Sequence, residues 1–163
     1  YKVLNAGADK ITINTIALNN LDFIKESSDI FGSQCIVCSI DVKYVDNQYK
    51  VFNKSRGILD INPLELALDY QKYGAGEILL TSIDYEGSGK GFDIELIKSF
   101  KDKLEIPIIL NGGMGKPNDA VEAIKNGADA ISAAYIFHFS QFTPDDIKKE
   151  MSKNNIITRE INR

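Results

Sequence analysis

Three times this chain carries the pattern Gly-Ala-x-x-Ile: GADKITINT from Gly7, GAGEILLTS from Gly74 and GADAISAAY from Gly127. The glycine suits the left-handed conformation that stops a helix, and a short apolar run of strand type follows at once. A helix stop leading directly into a buried strand is the αβ junction of an α/β protein, and its recurrence marks a repeated βα unit. The second and third copies follow helix-like stretches. The first follows only Leu4-Asn5-Ala6, as though its helix were cut away.

Two more apolar runs, residues 35–40 and 106–110, read as strands between the repeats. Helices are expected at about residues 20–30, 63–73, 94–103, 118–125 and 144–151. Their starts are marked by Asn62-Pro63, Asp93, Thr143-Pro144, and Pro117-Asn118 with Glu122 nearby. KYVDNQYKVFNKSRG, after the strand at 35–40, alternates around Asp46-Asn47 and reads as a small hairpin inserted in a βα loop. Five βα units fit either an open doubly wound sheet or part of a βα barrel, which typically needs about 250 residues. Periodicity alone does not choose. The first strand lacks a glycine-rich dinucleotide turn, so a nicotinamide cofactor has little support.

The chain has 163 residues and no linker or low-complexity stretch, which suits one domain. A net charge of −4 argues against nucleic acid as the main partner. No apolar run approaches the roughly 20 residues of a membrane span, and no signal-peptide pattern opens the chain. Tyr1 is not an initiator methionine, so the natural protein is expected to begin upstream. Cys35 and Cys38, read as residues of one strand, point to opposite faces and cannot easily clamp one metal. They read as reduced thiols of a cytoplasmic protein. No spacing suggests a metal site, and no Ser, Cys and His arrangement suggests a nucleophilic triad.

Strand parity assigns the polar residues to faces. Lys10, Thr12 and Asn14 share one face of the first strand; Glu77, Leu79 and Thr81 share one of the third; Ala130, Ser132 and Ala134 match them in the last. If the isoleucine faces pack on helices, these mixed faces point into a barrel. Lys10 and Glu77 then lie at the N-terminal rim of strands that neighbour or nearly neighbour each other, where a solvated ion pair is the plainer reading. Asn14 and Thr81 lie at the opposite, catalytic rim. The same parity groups Val37, Ser39 and Asp41, with Asp41 terminating its strand as either a catalytic or a loop-bracing carboxylate. Asn111-Gly112-Gly113 could cradle a phosphate with backbone amides or form a plain tight turn. Asp84 and Glu86, among Gly87, Gly89 and Gly91, raise the same question for the loop after the third strand. His138, in the run IFHF, reads as a packed or surface histidine.

Four stretches, FGSQ…SIDVK, GAGEILLTSID, GGMGK and GADA…FHF, resemble the cyclase-subunit family of imidazole glycerol phosphate synthase, of histidine biosynthesis. The resemblance covers essentially the whole chain. It implies a (βα)8 TIM-barrel-type α/β fold, here an incomplete barrel of about five βα units. Residues 1–163 would form one partial domain, from the family's fourth strand to its eighth. The absent units would explain the abrupt start and would leave this piece alone inactive, with open sheet edges that invite association.

The family draws ammonia through the barrel from a glutaminase partner, its heterodimer mate. It joins this to a bisphosphorylated aminoimidazole carboxamide nucleotide, giving imidazole glycerol phosphate and a carboxamide ribotide. The resemblance implies Asp41 as one of two acid–base aspartates, the other falling in the absent first strand. It implies Asn14 and Thr15 for one phosphate, and Glu86, Gly87, Gly112, Gly113, Ala134 and Tyr135 for the other. Thr81 and Asn111 would line the pocket between. Lys10 and Glu77 would belong to a charged ring gating ammonia, with Asp9 and Gln34 near the glutaminase surface. No cofactor is implied. This chain departs from the family in Tyr135 for a small serine, Glu86 for aspartate and Asn111 for serine. Those departures leave open a glutaminase-paired barrel that supports amidation of sugars for surface polysaccharides.

Overall fold

The computed structural model describes residues 2–159, so Tyr1 and residues 160–163 of the expected domain lie outside the described residues. The elements run α1 (Lys2–Asn5), β1 (Ile11–Ile13), α2 (Thr15–Asn19), α3 (Leu21–Phe31), β2 (Ile36–Val45), β3 (Gln48–Asn53), β4 (Gly57–Leu59) and α4 (Pro63–Lys72). They continue β5 (Glu77–Ser82), α5 (Ile94–Phe100), β6 (Ile108–Asn111), α6 (Pro117–Lys125), β7 (Ala130–Ser132), α7 (Tyr135–Phe139) and α8 (Pro144–Lys153). A 3-10 turn at Ser33–Cys35 precedes β2, so Cys35 lies before the strand that was expected to contain it.

All strands join one sheet. Five pair in parallel in the order β1-β2-β5-β6-β7, with β3 and β4 folded antiparallel onto β2. Once that insertion is set aside, spatial order follows chain order without reversal. A doubly wound sheet reverses at a switch point. The unreversed order therefore selects the barrel type, an incomplete (βα)8 arrangement of five parallel strands. At the three repeats the glycines take φ of 101°, 99° and 116°, the region that side chains disfavour, and each chain segment turns there into its strand.

The two sheet faces divide as parity requires. Ile36, Cys38, Ile40 and Val42 of β2, Ile78 and Leu80 of β5, and Ile108 and Leu110 of β6 are buried with Ile24, Tyr70, Ile97 and Phe100 of the helices. Each such aliphatic side chain contributes about 1.5–3 kcal/mol by leaving water. On the other face Thr12 is exposed, and Leu79 and Ile109 are half-buried. Burial pushes the Cys38 thiol up to about 12, and both cysteines are free thiols.

The expected helices are present with ends shifted by a few residues. Asn62 accepts from the amides of Leu64 and Glu65 at 2.9 and 3.3 Å, and Thr143 and Asp146 cap each other's backbone around Pro144. At α6 the acceptor is Asp119, which takes the amides of Gly115 and Lys116, while Glu122 bonds Asn118 instead. Three short helices were not expected: α1, α2 and α7 are too short to show a period. The single turn of α1 occupies the place where the first repeat had looked helix-free.

The hairpin is present but built differently. It continues β2 through Asp46 and Asn47, whose φ values of 52° and 61° make the turn that matches strand twist. A third strand, β4, pairs with β3. Asp41 consequently lies within β2 and does not end it, although its partner Thr81 is at the end of β5.

Asp93 ties this insertion to the barrel. Its carboxylate is 5% exposed and accepts from Tyr49 Oη at 2.9 Å, Ser82 Oγ at 2.9 Å and the Leu96 amide at 3.1 Å. One group thus joins β3, β5 and the start of α5. Burial, then the Asp93 bond, push the Tyr49 phenol pKa upward. Asp93→Ala should lower the unfolding free energy in urea by about 2–4 kcal/mol, since a cap and two buried donors are lost together. Glu95→Ala, which removes only an exposed ion pair with Lys98, should cost under about 1 kcal/mol. Equal effects would contradict this assignment.

Candidate functional site

The register of the parallel strands sets a row of polar residues at one end of the sheet. Asp41 pairs with Thr81, Thr81 with Asn111, and Asn111 with Ser132. Because the pairs are in register, all four side chains leave the same face. Asn111 Nδ2 donates to Thr81 Oγ1 at 3.2 Å. Asn14, on the last residue before α2, donates from Nδ2 to Asp41 Oδ2 at 3.0 Å. Thr15, beside it, is exposed. Asn14 was expected at this rim with Thr81 and beside Thr15; its bond to Asp41 was not.

Asp41 is half-buried. Burial holds its carboxyl above the ordinary carboxylate range, and the Asn14 bond partly offsets this. The raised value belongs to the folded state. Its penalty on folding is therefore absent at low pH and appears as pH climbs from the ordinary carboxylate range through the raised value. A carboxyl so placed can hold or release a proton closer to neutral pH than a solvated one, as general acid–base work requires.

Next to Asn111 a cleft of about 260 Å³ opens on the same end. Glu86, Gly87, Asn111, Gly112, Gly113, Ala134 and Tyr135, all singled out in the sequence, line it together. Its other walls are Met114, Ala133, His138 and Phe139. His138 is exposed and lies at the cleft edge, not packed in the core. Tyr135, His138 and Phe139 are spaced i, i+3 and i+4, one face of α7, so the missed wall residues follow from recognising that helix. Asp84, by contrast, accepts the Tyr44 amide at 2.8 Å and braces the hairpin.

The other end of the sheet carries the remaining candidates. Lys10 Nζ and Glu77 Oε1 form an ion pair that spans β2, since β1 and β5 flank that strand and are not neighbours. The lysine side chain is 47% exposed, so the pair contributes at most about 1 kcal/mol to stability. Asp9 and Gln34 are exposed on the segments just before β1 and β2. Glu77 pairs with Val37, four residues before Asp41. At about 3.3 Å per residue, the ion pair and Asp41 stand roughly 13 Å apart along the strand. Val37, Ser39 and Leu79 lie between them on the shared face. Among the described residues no three His, Cys, Asp or Glu are placed to share a metal ion, and no helix is long and apolar enough to cross a membrane.

The Asn14–Asp41 bond has a direct check. Asn14→Ala should move the Asp41 carboxyl midpoint further upward in a carbon-13 NMR titration, because only the lowering contribution is removed. A midpoint that stays or falls would contradict the bond.

Comparison with known proteins bears on the whole arrangement. A family model described as "Histidine biosynthesis protein" matches residues 1–143. A provisionally named imidazole glycerol phosphate synthase subunit hisF2 of Campylobacter jejuni is 56% identical over 158 residues, covering 97% of this chain and 63% of that protein. The imidazole glycerol phosphate synthase subunit HisF of Leptospira biflexa is 47% identical over 161 residues, covering 96% of this chain and 63% of its own length. This chain thus spans 63% of the length of these relatives. It belongs to the histidine biosynthesis protein family.

Proposed function

We propose that this chain carries the acid–base rim and one anion site of the cyclase subunit of imidazole glycerol phosphate synthase. In this reading ammonia from a glutaminase partner enters beside Lys10 and Glu77 and passes the face of Val37, Ser39 and Leu79. It meets a bisphosphorylated aminoimidazole carboxamide nucleotide at the rim of Asp41, Thr81 and Asn111. Asp41 transfers protons as the ring closes and a carbon–nitrogen bond breaks. The second acidic group of the pair is assigned to the part of the relatives' length that this chain does not span. The products are imidazole glycerol phosphate and aminoimidazole carboxamide ribotide.

One observation carries this reading. Asp41, with its carboxyl raised by burial and steadied by Asn14, stands in the same register row as Asn111, which also lines the cleft of Gly87, Gly112 and Gly113. A half-buried carboxyl and a glycine-lined cleft thus share one end of one sheet, which supports pairing proton transfer with anion binding there. The cleft suits a phosphate held by backbone and hydroxyl donors. Asn14 and Thr15 are assigned to the other phosphate, Asp9 and Gln34 to the glutaminase surface. We place the protein in the cytoplasm, where the free thiols of Cys35 and Cys38 stay reduced.

The test uses the full-length protein. It should restore growth without histidine to a strain lacking the cyclase subunit, and failure with soluble, folded protein would sink the reading. Asp41→Asn should lower cyclase turnover by about 10²–10⁴ with either glutamine or ammonium salts as nitrogen source. Turnover within severalfold of the unaltered protein would remove Asp41 from the acid–base role.

A further inference from the structure

The cleft beside Asn111 is closed on one side by a loop of glycines, and one side chain bears on that loop. A Cβ built on Gly89 would stand 2.5 Å from Cε1 and 3.0 Å from Cζ of Tyr135, so the phenol ring lies directly against the Gly89 backbone. From the other side, a Cβ on Gly115 would stand 2.0 Å from the Gly89 carbonyl oxygen. The loop is therefore held between the Gly115 turn and the Tyr135 ring, at a thickness that only bare backbone permits. The ring is itself held by Phe139, at 4.8 Å between centroids and 34° between planes. This accounts for Phe139, which is 74% exposed and has no core to fill. Among the described residues the Tyr135 hydroxyl meets no hydrogen-bond partner, and its side chain lines the cleft.

We infer that Tyr135 is the specificity-determining residue of this cleft, pinning the glycine loop shut and offering its hydroxyl to a small tetrahedral oxyanion of the phosphate-ester class. The inference rests on the anion site proposed above. The aromatic wall of Tyr135 and Phe139 gives the cleft its apolar side, and the negative charge of Glu86, exposed and also in the lining, disfavours anions not held by the amides. No lysine or arginine lines the cleft, so the Tyr135 hydroxyl stands with Asn111 and His138 as its side-chain donors.

Two variants of the full chain separate the two roles. Tyr135→Ser removes ring and donor position together; Tyr135→Phe keeps the ring and removes only the hydroxyl. Hydrogen exchange should accelerate at residues 87–91 in Tyr135→Ser, with the β5 and β6 amides unchanged, and should stay slow in Tyr135→Phe. Titration with inorganic phosphate, followed by amide shifts of Gly112 and Gly113, should be about tenfold weaker in Tyr135→Phe than in the unaltered protein, the loss of one hydrogen bond to a charged group. Equal loop exchange in all three proteins overturns the pinning role, and undiminished phosphate binding in Tyr135→Phe overturns the donor role. If the unaltered protein shows no phosphate-dependent shift, the anion site itself fails and the donor role with it. The exchange comparison decides the pinning independently.

Discussion

The in-register pairing of β2 with β5 is the constraint on which the rest of this structure depends. It runs from Val37 with Glu77 to Val42 with Ser82, and its ladder sets the levels of Glu77, Asp41 and Thr81. Because side chains alternate, Ile40, Val42, Leu80 and Ser82 go to the helices while Ser39, Asp41, Leu79 and Thr81 go to the opposite face. A slip of one residue would bury Asp41 among isoleucines and expose the core. The central strands thus determine both stability and the location of the proposed chemistry.

The same ladder separates two tasks. At its start stand Glu77 and its ion pair with Lys10; at its end stand Asp41, Thr81 and the neighbouring cleft. Between them Val37 and Ser39 are buried and Leu79 is half-buried. Asp93 then couples the rim to the hairpin by gathering Tyr49, Ser82 and the first turn of α5 around one buried carboxylate. That carboxylate works in structure and Asp41 in the proposed chemistry. The two are told apart by their partners: Asp93 is saturated with donors, whereas Asp41 has one and a raised carboxyl.

The repeats at Gly7, Gly74 and Gly127 made the βα architecture legible, because a helix stop beside a strand start is a local event written in adjacent residues. Parity carried the reading further, grouping Asp41 with Ser39 and Thr81 with Leu79; that Asn111 shares their face came from strand pairing. Strand order was not legible, since β1 and β5 flank β2 only through long-range pairing. Neither was the Asn14–Asp41 bond, which joins the residue after β1 to one within β2. The length of β2 was misjudged at Asp41 because a hairpin can prolong a strand as readily as follow it. Of the cleft residues, Glu86, Gly87 and Asn111 to Gly113 stood out as glycine loops, Ala134 and Tyr135 came from resemblance alone, and the geometry brings them together. Phe139 was missed, and His138, read as a packed or surface residue, was not seen as a cleft wall, because α7 has only five residues and no period to detect.

The central claim is that one sheet holds two separable functional ends, an ammonia entrance at Lys10 and Glu77 and an acid–base rim at Asp41. The most direct measurement compares turnover of the full-length Lys10→Met variant, assembled with the glutaminase, on glutamine and on added ammonium salts. The account predicts that glutamine-dependent turnover falls while ammonium-dependent turnover is retained. Loss of both in parallel, or of neither, would contradict it.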